Sequence, residues 1–263
     1  FDRKRGFDRE AARKTIVFRQ PQRRLFTVSF LRFVLANHRI ERFQRIRKRA
    51  DLINQSECGG LIAGDHSAAM GSVSATSVYT KGETGLIWID AHPDINTDKT
   101  TVTGNIHGMP VAALLGLGEP SLTHFLDDSI KLKSGNIVML GLRDIDPPEA
   151  EILKEHHIRY YKWDYIMGHG LQNCLNESID YLSHCPAVHV SFDIDSMDPK
   201  LMPGVSVPVP EGFNEDDVFL MMDELLTRLP VQAMDIVEFN HELDKDDITV
   251  GFVSRLVEHV QGL

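Results

Sequence analysis

The sequence predicts an α/β fold of three layers, α/β/α, around a mostly parallel central sheet. From residue 58 onward, short and nearly continuous apolar runs alternate with helical lengths of chain, the pattern of strands buried on both faces and joined by crossover helices. Clusters of Asp, His and Glu follow directly after several runs, as expected where ligands bind beyond the carboxyl ends of parallel strands. The chain has 263 residues, 42% of them hydrophobic, enough for one large core.

The runs fall at residues 60–63, 86–89, 137–140, 158–161, 188–192 and 233–237. The first ends in Asp65-His66, the second in Asp90 to Asp94, the third in the segment from Arg143 to Glu149, the fifth in Asp193 to Asp195, and the last in Glu238. One site built from many loops is therefore expected on one rim. Asn214-Glu215-Asp216-Asp217 reads as the cap and first turn of a helix holding Phe219 to Leu226, since a side-chain acceptor and early acids suit a helix N-terminus.

Charge divides the chain at about residue 50. Residues 1–50 hold 16 Lys/Arg against 4 Asp/Glu, a formal +12, and residues 51–263 hold 12 against 34, a formal −22. This suggests an atypical basic segment, 1–50, ahead of a catalytic domain, 51–263. The acidic body speaks against a nucleic-acid partner. The basic front reads in three ways: a basic helical face against the acidic body, an Arg-rich leader of mitochondrial type weakened by Asp2, Asp8 and Glu10, or an altered N-terminus. The apolar residues 25–36 are interrupted by Arg32 and fall short of the roughly 20 needed to span a bilayer, so no membrane partner is expected. Cys58, Cys174 and Cys185 form no CxxC pair and read as reduced thiols of a cytoplasmic or organellar protein.

His66, Asp90, His92, Asp94, Asp193 and Asp195 together offer two imidazoles and four carboxylates. Acids this dense repel one another unless cations offset their charge. Two divalent ions sharing bridging carboxylates would do so, and oxygen-rich ligands without thiolate favour manganese over zinc.

Five segments in order carry a resemblance. Gly64-Asp65-His66-Ser67, Asp90-Ala91-His92-Pro93-Asp94-Ile95-Asn96-Thr97, Gly104-Asn105-Ile106-His107-Gly108, Ser191-Phe192-Asp193-Ile194-Asp195-Ser196-Met197-Asp198-Pro199 and Asp235-Ile236-Val237-Glu238-Phe239-Asn240 resemble the successive signatures of the ureohydrolase family, arginases in particular. The resemblance implies the arginase/deacetylase-like fold and two Mn ions per chain. His66 and Asp94 would hold one ion, His92 and Asp195 the other, with Asp90 and Asp193 bridging. It implies attack on a guanidinium carbon by a hydroxide held between the ions, with Asp94 passing the proton to the leaving nitrogen, Glu238 receiving the guanidinium and His107 shuttling protons. Asn96, Thr103 and Asn105 match positions that hold the substrate α-carboxylate, and Asp146 and Glu149 those that face its α-amino group. L-arginine is the substrate so implied, cleaved to L-ornithine and urea, and a homo-oligomer, trimer or hexamer, is the implied assembly.

Two departures keep alternatives open. Gly204-Val205-Ser206-Val207-Pro208 resembles formimidoylglutamases and agmatinase-like branches, and Val207 lacks a hydroxyl expected beside the guanidinium. The family's opening strand and Gly-rich loop are not recognisable before residue 50, so residues 15–18 or 25–30 must replace that strand. An agmatinase or formimidoylglutamase, or an impaired arginase-like protein that binds metal without turnover, are the competing readings.

Overall fold

The computed structural model describes residues 58–263, together with the backbone of strands β1 (Thr15–Phe18) and β2 (Phe26–Leu31). The expected basic helical face and the leader lie outside the described residues. The remaining strands are β3 (Cys58–Ala63), β4 (Thr84–Ile89), β5 (Ile137–Leu142), β6 (Arg159–Lys162), β7 (Ala187–Asp193) and β8 (Val231–Val237). The described strands form one sheet in the order β1-β2-β3-β8-β7-β4-β5-β6. Every pairing is parallel except that of β1 with β2. The segments suggested as replacements for the missing opening strand thus both join the sheet, β2 running parallel to β3 from Phe26↔Cys58 to Leu31↔Ala63.

Strict alternation along the central strands divides the core. Ile87 and Ile89 of β4, Val138 and Leu140 of β5, and Val188, Val190 and Phe192 of β7 pack on one face. There they meet Leu175 and Ile179 of helix Leu171–Leu182, Met221, Met222 and Leu225 of helix Glu215–Arg228, and Phe252 and Leu256 of helix Ile248–Gly262. Leu86, Trp88, Ile137 and Met139 point to the opposite face, with Ala69 and Val73 of helix α1 (Ala69–Thr80) and Val111 of helix Pro110–Leu114. Both faces are dry, which explains runs of apolar residues where half-buried strands would alternate with polar ones. The helix expected at Phe219 to Leu226 begins in a capping box, with Asn214 accepting from Asp217 N and Asp217 accepting from Asn214 N.

One strip of the sheet is polar inside. His189, Ser191 and Asp193 share a face of β7 by their spacing of two, and Asp235 of β8 stands opposite Ser191 in register. Small residues of α1 cover this strip closely. His189 Nε2 lies 2.9 Å from Asp235 Oδ2 and its Nδ1 lies 2.9 Å from Thr76 Oγ1, while Ser72 Oγ donates to Asp235 Oδ2 at 2.6 Å. These bonds offset the desolvation of a His–Asp pair that is fully buried. The strip runs along β7 to the rim where Asp193 stands.

Candidate metal centre and active site

Parallel strands β3, β4, β7 and β8 end on the same rim, which brings distant parts of the chain together. The local spacing then follows from one repeated turn. Asp65 Oδ1 accepts from Ser67 N at 2.9 Å, Asp90 Oδ1 from His92 N at 2.7 Å, and Asp193 Oδ1 from Asp195 N at 2.7 Å. In each, a carboxylate bonds to the backbone two residues on and folds the chain back, so the second side chain joins the first. At the second and third turns this is why ligand-type residues recur as Asp-x-His and Asp-x-Asp, whereas at the first the residue two on is Ser67 and His66 stands between.

The groups converge at two points. His66 Nδ1 lies 3.0 Å from Asp90 Oδ2, 3.1 Å from Asp94 Oδ2 and 3.0 Å from Asp193 Oδ2. His92 Nδ1 lies 3.1 Å from Asp195 Oδ2 and 3.4 Å from Asp90 Oδ1. Asp90 thus turns one oxygen to each imidazole. His66 Nδ1 and Asp90 Oδ2 are enclosed and find no hydrogen-bond partner among the described residues, because a single in-plane ring position cannot serve three oxygens. A cation resolves this. Bonds of about 2.1 Å at right angles put neighbouring ligand atoms about 3.0 Å apart, which matches these separations. The donor set fits hard divalent cations, with His66, Asp90, Asp94 and Asp193 around one position and Asp90, His92 and Asp195 around the other.

Supporting contacts orient the ligand atoms. His66 stacks on Trp88 with ring centroids 3.8 Å apart and planes 2° from parallel, and its Nε2 lies 2.9 Å from Ser191 Oγ. Donation from Nε2 to that hydroxyl leaves the Nδ1 lone pair facing the acids. His92 Nε2 looks outward, 3.7 Å from Asp144 Oδ2, beyond hydrogen-bond length. Asp94 and Glu238 both adopt left-handed backbone, with φ of 49° and 58°. Non-glycine residues in this region are uncommon, and such strain gathers where geometry is set by function.

Protonation follows from this crowding. Burial and the neighbouring Asp90 push the Asp94 carboxyl up to about 6, and burial with Asp90 nearby pushes Asp195 up to about 7. Burial disfavours the His92 imidazolium, but hydrogen bonds to Asp195 and Asp90 outweigh it and raise His92 to about 12. Asp90 moves the other way, since the imidazoles of His66 and His92 close beside it overcome the effect of burial and hold it below the ordinary range. A cation must displace these protons. Raised carboxyl values mean more bound protons at lower pH, so cation affinity should fall about tenfold or more per unit from pH 7 to pH 5. Manganese titrations at both ends of that range check this, and equal affinities would contradict it.

Beside the cluster, a pocket is lined by His66, His92, Asp94, Asn96, Thr101, Val102, Thr103, Asn105, His107, Asp144, Asp146, Glu149, Val207 and Glu238, among others. Glu238 Oε1 accepts from His66 N at 2.8 Å and lies 3.4 Å from His107 Nδ1. Hydrogen bonding to Glu238 is the main cause of a raised His107 value, against the opposing effect of burial. At the other side Asn96 Nδ2 donates to Asp146 Oδ2 at 2.8 Å, and Thr100 Oγ1 donates to Asn96 Oδ1 at 2.7 Å. Thr103 and Asn105 sit on the pocket wall, linked by Asn105 N donating to Thr103 Oγ1.

Asp146 and Glu149 do something the motif alone does not announce. They form the capping box of helix Pro147–Glu155, Asp146 Oδ1 accepting from Glu149 N and Glu149 Oε2 from Asp146 N, while Glu149 Oε1 accepts from Ile95 N. Glu149 is buried, and that burial pushes its carboxyl up to about 8, so it carries a proton at neutral pH. Sequence reasoning did not single out Thr101, Ser191 or Asp144. The place of Ser191 two residues before Asp193 on the same strand face was the available signal.

A parallel sheet that gathers imidazoles and carboxylates around cation-sized points, beside a pocket with a buried acid, defines a metal-dependent hydrolase. The arginase family model matches residues 20–262. The chain belongs to the arginase family. It is 36% identical over 219 residues to the arginase of Bacillus subtilis strain 168, covering 83% of this chain and 73% of that one. A crystal structure of Bacillus subtilis arginase superposes with a TM-score of 0.82 at 34% identity, over 86% of this chain and 81% of that one. The proclavaminate amidino hydrolase of Streptomyces clavuligerus shares the fold, with a TM-score of 0.73 at 19% identity over 87% of this chain and 71% of that one. Among the described residues no helix is long and apolar enough to cross a membrane.

Proposed function

We propose that this chain hydrolyses the guanidinium group of L-arginine to L-ornithine and urea, with two Mn ions held by His66, Asp90, His92, Asp94, Asp193 and Asp195. The observation that carries it is the meeting of both imidazoles at one two-faced carboxylate, Asp90, next to a pocket that ends in Glu238. Bound cations would lower the pKa of water and so supply a nucleophile near neutral pH. The protein's own groups do the rest. Glu238, 5% exposed, offers its carboxylate to a planar guanidinium by charge-assisted hydrogen bonds. Asp94, buried in the lining of the same pocket, carries a proton toward the leaving nitrogen. His107, half-exposed between Glu238 and solvent, relays protons outward.

Elsewhere in the pocket lining, Asn96, Thr103 and Asn105 suit a carboxylate and Asp146 an ammonium. Asp146→Asn keeps a capping oxygen and removes the charge, so KM for L-arginine should rise about tenfold while agmatine turnover is unaffected. Urea release measured on L-arginine, agmatine and formimidoylglutamate tests the reading. Preference for L-arginine lost in Asp146→Asn supports it, and preference for either other amidine in the unaltered protein defeats it. An agmatinase or formimidoylglutamase-type activity is the second reading, favoured by Val207, which lines the pocket 40% exposed without a hydroxyl. Two cations bound with no urea from any amidine would favour a binding protein without turnover.

A further inference from the structure

Arg143 is the feature that neither the motif nor the chemistry uses. Among the described residues its guanidinium makes no ion pair with a carboxylate, yet it is ringed by carbonyl oxygens from three parts of the chain. Nη2 donates to Asp195 O at 2.7 Å, Met197 O at 3.3 Å and Val209 O at 3.2 Å. Nη1 donates to Ser196 O at 3.1 Å and Gly141 O at 3.3 Å, and Nε to Pro210 O at 3.1 Å. Its backbone N donates to Ala91 O at 2.9 Å, between Asp90 and His92.

The fold is bent to put it there. The pairing of β5 with β6 slips between Leu140 and Leu142, so Leu142 joins the core face of Ile137 and Met139 instead of that of Leu140. A one-residue slip exchanges the faces of everything that follows, and it turns Arg143 beneath the Asp195 turn. Gly141 sits at the slip with φ of 96°, and a Cβ there would meet Phe213 Cε2 at 2.7 Å. Gly212, with φ of 128°, comes so close that a Cβ would lie 2.5 Å from Ser196 O and 2.8 Å from Arg143 Nη2. The loop that follows Val207 is thereby laid against the turn that carries Asp195.

We infer that Arg143 is a positioning residue that holds the Asp195 turn and the loop after Val207 against the Asp90 loop, and so sets the cation position made by Asp90, His92 and Asp195. A planar fork with donors in fixed directions can bind several carbonyls at once, whereas a lysine ammonium is a point donor on a flexible stem. The inference rests on the functional reading above, because it takes that cluster as a cation site.

The test is manganese binding by equilibrium dialysis with metal analysis, on the unaltered chain, Arg143→Lys and Arg143→Ala, with melting of each cation-free protein beside it. The unaltered chain should bind two ions. Arg143→Lys should keep one near its original affinity and weaken the other by about tenfold or more, as loss of groups that orient ligands does, and excess manganese should restore most of kcat. Should Arg143→Ala not fold, the lysine variant decides. Two unchanged affinities in Arg143→Lys would overturn the inference alone, as would an equal fall in both that tracks a lowered melting temperature. Failure of the unaltered chain to bind two ions would overturn the functional reading and this inference with it.

Discussion

Asp90→Asn is expected to lower urea release by at least about 10³-fold, roughly 4 kcal/mol of barrier, and to leave the protein with fewer than two bound cations. Among the described residues Asp90 is the one carboxylate that approaches both imidazoles, Oδ2 to His66 Nδ1 at 3.0 Å and Oδ1 to His92 Nδ1 at 3.4 Å. Replacing either oxygen by an amide nitrogen removes negative charge and turns a donor toward a position that needs an acceptor. The neighbouring acids each face one imidazole, Asp193 Oδ2 toward His66 Nδ1 and Asp195 Oδ2 toward His92 Nδ1, so neither stands in for a carboxylate between the two. Oδ1 also folds the loop by accepting from His92 N, a bond the asparagine oxygen can keep, so the overall fold should survive. Metal analysis with activity at graded manganese checks this. Two tightly held ions and activity within tenfold of the original would remove Asp90 from the centre.

Glu238→Gln should act through the substrate instead. The expected loss is about 10² to 10³-fold in kcat/KM with cation content unchanged, since removing one partner of a buried charge-assisted pair leaves the other's charge unmatched. Glu238 is 5% exposed and held in left-handed backbone at the end of β8, so its carboxylate is fixed before any ligand arrives. Glutamine keeps the volume and one oxygen, and the bond from His66 N can persist. Unaltered kcat and KM would show that the guanidinium binds elsewhere. The two substitutions separate the functions: one should lower the cation content, the other leave it unchanged.

Much of the candidate site was readable because strand ends and residues of ligand type coincide in sequence. Asp65, Asp90 and Asp193 each bond to the backbone two residues on, so a local rule links the spacing to a shared direction of side chains. The apolar runs were equally readable, since burial on both faces leaves no alternation to obscure them. Arg143 was not readable. Its partners are main-chain carbonyls, which every residue has, and its direction depends on a slip in strand pairing that no composition reveals. Glu149 reads in the motif as an acid facing an amine, while burial pushes its carboxyl up to about 8 in spite of the backbone hydrogen bonds of its helix cap, which favour the anion.

By itself the sequence determined the α/β class, the order of strand-end clusters and the identity of the charged groups, because these follow from hydrophobic periodicity and from spacing within single turns. Tertiary structure alone decided which oxygen faces which nitrogen, which acids keep their protons and which arginine binds the loops together. Those outcomes depend on distances of about 3 Å between segments a hundred residues apart and on how far each group is removed from water, quantities that exist only once the chain has closed on itself.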